Sequence, residues 1–378
     1  MSNKRPAAAG LSAAKNSLLI ISALVLSFGC HKSNVNQKDL RDFEQVNLVA
    51  NSDEYHPVTR DASLINAFGI AWSPNGIAWV NSVGGHVSEL YTAEGAIVRP
   101  GVNIPSPTDP TGGLPCGIVF AGGQGFQLGD GHAVFLFSGF DGVISGWNGG
   151  DNATRLKNPP HASYTGLAIG TSGGNNFIYA ANFGAGRIDV WDTSFTRVNM
   201  SFTDPTLPSG YSPYNIQAVG DWLFVMYAQL GSDGHGVAGA GKGFVSVFRT
   251  DGSFVRRFAS EGTLNIPWGV TMAPGSFLEE QDMSDGGKSN SNDRQRGNHD
   301  PKDPVILVGN FGDGHINVFS EDAQFLGQLQ SHNRPIVIDG LWALSFPPSS
   351  AGINPARLYF SAGPEHETDG IFGYLIKQ

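Results

Sequence analysis

Between Tyr164 and Val198 the hydrophobic positions come in four short bursts separated by polar or glycine-rich pairs. Gly166 to Gly170 alternates apolar and small residues, Phe177 to Ala181 is continuously apolar, Arg187 to Trp191 alternates again, and Phe195 to Val198 begins a fourth burst. Alternation with a period of two, and short apolar runs bounded by turn residues, predict four β-strands joined by tight turns.

The unit repeats along the chain. Its first strands align as AFGIAWS at Ala67, PCGIVFA at Pro115, YTGLAIG at Tyr164, PYNIQAV at Pro213, PWGVTMA at Pro267 and IDGLWAL at Ile338. One column then holds Gly69, Gly117, Gly166, Asn215, Gly269 and Gly340, spaced 48, 49, 49 and 54 residues apart before a final step of 71. Four strands per unit at a period of roughly 40 to 50 residues mark a β-propeller, and six units predict an all-β, six-bladed β-propeller. The last unit has room for strands near Leu341–Phe346, Arg357–Ser361 and Ile371–Ile376 but no fourth. The strand-like FEQVNLVA at Phe43 to Ala50 is expected to supply it, pairing with the C-terminal strand and removing an open sheet edge.

Residues 1–29 read as an export signal. Lys4, Arg5 and Lys15 precede an apolar run from Leu18 to Phe28. That run is too short to span a bilayer, which takes about 20 residues. Leu26-Ser27-Phe28-Gly29-Cys30 resembles a bacterial lipobox, with Ser27 where the pattern usually has Leu. The resemblance implies lipidation at Cys30, ordinary signal cleavage being the alternative, with residues 30–42 as a polar tether to a propeller over 43–378. Export to the periplasmic or cell-surface side of a bacterial membrane follows, with the lipid as the sole membrane contact. Glu279 to Asp303 is nearly free of apolar residues and is expected to be a disordered insertion between the first two strands of the fifth unit, which accounts for the 71-residue step.

Charge narrows the partners. The chain carries a net charge of −10 from 23 basic and 33 acidic residues, and loss of residues 1–29 would make it more acidic. An acidic surface argues against nucleic acid and against electrostatic attachment to anionic lipid. The remaining expectation is a monomer that meets a protein or small-molecule ligand. With Cys30 used as an anchor, Cys116 stands alone, so no disulfide framework is expected, and its place in a first strand reads as a small buried residue.

YAANFGAGRIDVWD and LVGNFGDGHINVFS resemble the NHL and YVTN types of propeller repeat. As a set, NLVAN, GIAWSPNGIAWV, SFTDPTLPSGYSPYNIQ, IPWGVTMAP, GNFGDGHINVF and IDGLWALSF resemble a family of uncharacterised exported bacterial propeller proteins, over about residues 43 to 378. The resemblance implies fold and export and carries no reaction.

First strands of a propeller line its central channel, so candidate site residues are sought beside the glycine column. There stand Phe68, Cys116, Thr165, Tyr214, Trp268 and Asp339. Tyr214, Trp268, Thr165 and Asp339 are candidates for ligand binding at the channel mouth, with packing between blades as the alternative for the aromatics. A second column closes the second strands at Asn81, Ser138, Asn182, Asn310 and Ser361; Asn182 and Asn310 are ligand candidates, with bonding of the adjacent turn as the structural alternative. His86 and His315 share a position with Val143, Arg187, Phe244 and Ile371, which reads as a hairpin residue. Gly236, Gly241 and Lys242 have P-loop spacing, but Gly243 replaces the required hydroxyl residue. The loop from Ala362 to Gly370 gathers Glu365, His366, Glu367 and Asp369. Asp339, Glu365 and Asp369 offer a hard oxygen set that would suit Ca²⁺ better than Zn²⁺, with a solvated acidic turn as the alternative. No hydrolase motif identifies catalytic residues. Two readings stay open: a binding module working through the mouth, or a metal-dependent, lactonase-like hydrolase at the central channel.

Overall fold

The computed structural model describes residues 33–129, 131–279 and 302–378. The predicted Cys30 anchor, the export signal and most of the acidic insertion lie outside the described residues. Residues 33–378 form one unit.

Six antiparallel sheets stand around an axis, each with its first strand innermost. The innermost strands are Ala67–Trp72, Pro115–Phe120, Tyr164–Ser172, Tyr211–Val219, Pro267–Ala273 and Leu341–Ser345. Each neighbours the innermost strands of the two adjacent blades, and the sixth returns to the first. The molecule is a six-bladed β-propeller. Its middle strands are apolar almost throughout, as in Asn175–Asn182 and Trp222–Gln229, because both faces of each sheet are covered by a neighbouring blade. Hydrophobic clusters accordingly lie between successive blades, such as the one joining Val119, Leu136 and Ile144 of blade 2 to Leu167, Ile178 and Trp191 of blade 3.

Phe43–Ala50 closes the ring. It pairs antiparallel with Ile371–Lys377 from Phe43 opposite Lys377 to Ala50 opposite Ile371, with a bulge between Asn47 and Val49. Phe43, Leu48, Val49 and Ala50 are buried, so the pairing carries apolar burial as well as backbone hydrogen bonds. A short strand not evident in the sequence, Thr59–Arg60, runs parallel to its end. Where it is described, the stretch expected to be a polar tether packs against the propeller. Val35 and Leu40 enter the core shared by blades 5 and 6, and Lys302 pairs with Asp39 at 3.0 Å. The insertion leaves after Ala273 through a 3-10 turn, Gly275–Leu278, whose Phe277 packs 4.9 Å from Phe43.

The glycine column has a steric cause. A Cβ on Gly117 would lie 2.5 Å from the backbone nitrogen of Leu167, and one on Gly269 would lie 2.6 Å from the carbonyl oxygen of Trp342, each in the next blade's inner strand. Blade 6 departs from the expected register. The inner strands shift register against their partners at one common place: between Ala67 and Ile70, at Cys116, between Tyr164 and Gly166, between Pro213 and Asn215, between Pro267 and Val270, and between Leu341 and Leu344. Trp342 and Ala343, three residues beyond Asp339 and Gly340, are therefore the counterparts of Trp268 and Gly269. Gly340 instead occupies the turn before the strand with φ +64°, where a Cβ would meet the carbonyl of Gly363.

Candidate functional site: a plugged channel mouth with an acidic rim

The shared bulge turns one side chain per blade towards the axis, and these side chains fill it. Phe68, Cys116, Thr165, Tyr214, Trp268 and Trp342 are all buried. Trp342 is stacked between Phe68 and Phe311, with ring centroids 3.8 and 3.9 Å away. Trp268 meets Phe68 edge-on at 5.1 Å, and Tyr214 meets Phe183 at 4.7 Å. Trp268 Nε1–H donates to the Thr165 carbonyl at 2.9 Å. Phe68, Tyr214, Trp268 and Trp342 thus pack as an aromatic plug across the mouth, with the Thr165 backbone bonding Trp268. Phe140, Leu230 and Phe311 lie over the plug only partly buried.

Bulging frees backbone carbonyls from the ladder, and buried ones need partners. Second-strand side chains provide them across the blade boundary. Asn81 Nδ2 donates to the carbonyls of Cys116 and Gly117 at 3.2 Å each, Ser138 Oγ to that of Gly166 at 3.4 Å, and Ser361 Oγ to that of Phe68. Asn182 and Asn310 bond locally: Asn182 donates to Asp189 of the following strand at 2.9 Å and accepts from the Ser163 N–H at 3.2 Å, and Asn310 donates to the Thr263 carbonyl of the preceding loop at 2.7 Å and to Asp313 of its own turn at 3.0 Å. The second column staples blades and turns.

The rim is built by the loop after Ala362. Glu365, His366 and Glu367 all have left-handed backbone, with φ of 52°, 57° and 68°. Each such non-glycine residue costs about 1–2 kcal/mol, so the surroundings must hold the turn. They do so at three points. Asp339 Oδ2 accepts from the Glu365 N–H at 3.1 Å, Asp369 accepts from Tyr55 O–H at 2.7 Å and from Asn51 Nδ2 at 3.0 Å, and Glu367 Oε2 accepts from Asn66 Nδ2 at 2.8 Å. The three acids expected to share a cation diverge: Asp339 is exposed and caps a backbone amide, while Asp369 turns outward to the N-terminal segment. Among the described residues no group of three His, Cys, Asp or Glu side chains is placed to hold a metal ion. Asp339, Glu365 and Asp369 are thus not brought together as one oxygen set.

Glu367 is the acid aimed at the plug. Asn66, buried and itself left-handed at φ 50°, accepts from Trp342 Nε1–H at 2.8 Å while donating to Glu367. Partial burial pushes the Glu367 carboxyl above the usual carboxylate range, opposed by the Asn66 hydrogen bond and the charge of His235. Burial, with the Glu367 charge adding to it, pushes the Tyr214 hydroxyl up, and burial does the same to the Cys116 thiol. Asn66, Trp342 and Phe311 were not visible as site residues in the sequence. Aligning Trp342 with Trp268, instead of Gly340 with Gly269, is the signal that finds Trp342.

The fold and this mouth define a closed six-bladed propeller with an aromatic plug and a carboxylate above it. No family model matches the chain. It is 36% identical over 230 residues to an uncharacterized protein of Acanthamoeba polyphaga mimivirus, covering 57% of this chain and 51% of that one. A second uncharacterized protein of the same virus is 32% identical over 223 residues, covering 57% and 48%. The chain spans about half the length of the curated relatives it matches. Among solved structures, a streptogramin B lyase superposes with a TM-score of 0.48 at 13% identity, covering 88% of this chain and 96% of that one. A gluconolactonase from Xanthomonas campestris gives 0.45 at 12%, covering 82% and 86%. At that distance neither likeness carries an argument about chemistry.

Proposed function

We propose that the protein is a binding module that takes its ligand at the plugged mouth, and that it is exported and anchored by lipid at Cys30. The observation that carries the binding reading is Glu367, held by a strained turn above an aromatic floor and coupled through Asn66 to Trp342. A half-buried carboxylate at a mouth where the Phe140 and Phe311 rings stay partly exposed suits a ligand with an apolar face and a cationic group. For the lactonase-like alternative, no three His, Cys, Asp or Glu side chains converge among the described residues.

Calorimetric titration of the purified protein with tetramethylammonium, a linear diamine and glucose tests this reading. A cationic probe should bind, and Glu367→Gln should weaken it about tenfold, the worth of one charge-assisted contact. Binding by none of the three, or binding indifferent to both Glu367→Gln and Phe311→Ala, counts against the mouth. For the anchor, metabolic labelling with radioactive palmitate in a bacterial host should mark the parent chain and not Cys30→Ser; equal labelling would sink it.

A further inference from the structure

The other end of the channel is open. Beyond the plug the inner strands enclose a cavity of about 200 Å³, roofed by Trp268 and lined by Ile70, Ile118, Leu167, Ile216 and Gln217, with Ala218 at its exposed edge. No Asp, Glu, Lys, Arg or His contributes to the lining. An ionised ligand would lose its hydration there without a partner. The volume exceeds the about 150 Å³ of an apolar cavity that takes up benzene, so one ring with a small substituent fits.

The lining also has polar capacity. Each inner strand is hydrogen-bonded on its outer side only, so its channel-side N–H and C=O groups have no sheet partner. Near the plug, Asn81, Ser138, Asn215 and Ser361 take up such groups. Towards the open end, among the described residues, Gln217 does so alone: its Oε1 accepts from the Val270 N–H at 3.3 Å. That bond fixes which end of the amide faces Val270, and it leaves Nε2 as a donor with no protein partner among the described residues.

We propose that this cavity binds one uncharged, single-ring molecule bearing a hydrogen-bond acceptor, with the ring against Ile70, Ile118 and Leu167 and the acceptor on Gln217 Nε2. The site lies at the opposite end of the channel from Glu367 and is independent of the mouth.

The probe is phenol, followed on the purified protein by ligand-observed NMR and by the thermal midpoint, with benzoate as the ionised counterpart and toluene as the ring without an acceptor. Phenol should bind with a dissociation constant of about 1 mM, as expected for so small a ligand, and should raise the midpoint in step with its concentration. Benzoate should not. Gln217→Leu should weaken phenol about fivefold, the loss of one neutral hydrogen bond, and leave toluene unchanged. Ala218→Phe, at an exposed position that tolerates a larger side chain, should narrow the opening and weaken both rings. Glu367→Gln should change neither. Absence of phenol binding, equal binding of benzoate, or phenol binding unaffected by both Gln217→Leu and Ala218→Phe would each overturn the proposal.

Discussion

Trp342 and Asp339 compete for one place in the repeat, and their substitutions separate the two registers of blade 6. Trp342 is almost fully buried, stacked on Phe68 and Phe311, with its N–H on Asn66. A buried tryptophan removes about 200 Å² from water, worth about 5 kcal/mol at 25 cal/mol per Å², in line with the 3–5 kcal/mol that Trp→Ala changes cost. That consumes much of a total stability of about 5–15 kcal/mol, so Trp342→Ala should fold poorly. Trp342→Phe keeps an aromatic ring but leaves Asn66 Oδ1 without its donor, and should cost about 2–3 kcal/mol. Asp339→Ala removes one exposed contact with the Glu365 amide and should cost under about 1 kcal/mol. Urea unfolding followed by far-ultraviolet circular dichroism measures all three. A double-mutant cycle of Trp342→Phe with Asn66→Ala should show a coupling of about 1 kcal/mol. If Asp339→Ala proves as costly as Trp342→Phe, or the coupling is absent, the register assigned to blade 6 is wrong.

Three further outcomes are expected. Gly117→Ala forces a methyl group against the Leu167 nitrogen and Ser138 Oγ, both 2.5 Å from its position, and should cost about 1–3 kcal/mol of unfolding free energy; a neutral result would deny the close approach of blades 2 and 3. Phe43→Ala, at the start of the closing strand between Phe277 and the Lys377 ammonium, should lower stability by about 3–5 kcal/mol and promote association through the exposed edge of Ile371–Lys377, read by light scattering during thermal unfolding. Unchanged melting would mean the closing strand does not hold the ring. Glu89 is buried, and its carboxyl is pushed up chiefly by that burial, with the Asp61 charge adding and the Ser63 hydrogen bond opposing. The Ser63 hydroxyl lies 2.5 Å from Asp61 Oδ1 and 2.7 Å from Glu89 Oε1, and its single proton cannot serve both, so a proton on Glu89 completes the chain. With the folded value above the unfolded one, the native state holds the extra proton. The stability Glu89 contributes is full below the unfolded carboxylate range near pH 4 and is lost as pH rises through the folded value. Glu89→Gln should therefore gain on the parent as pH rises above the ordinary carboxylate range; parallel stability curves for the two proteins would refute it.

The repeat period, the strand pattern, the six-blade count and the borrowed Phe43–Ala50 strand were legible in the sequence, because a propeller writes its architecture locally. Each blade needs the same short apolar runs, the same turns, and a small residue wherever inner strands converge. The glycine column was legible for five blades and misread in the sixth. Gly340 imitates the column glycine there, while the true counterpart, Ala343, follows a tryptophan that matches Trp268. What the side chains in those columns do was decided only by closure of the ring. A bulge common to all six inner strands turns Phe68, Tyr214, Trp268 and Trp342 onto one axis, where they pack against one another. The same closure sets Asn66 from one end of the ring beside Glu367 from the other, 301 residues apart in sequence. It also leaves a cavity of about 200 Å³ between the inner strands in the opposite half of the channel. Local pattern fixes which strands form; which of their side chains meet depends on distances across the axis, and those exist only once the last blade has been joined to the first strand.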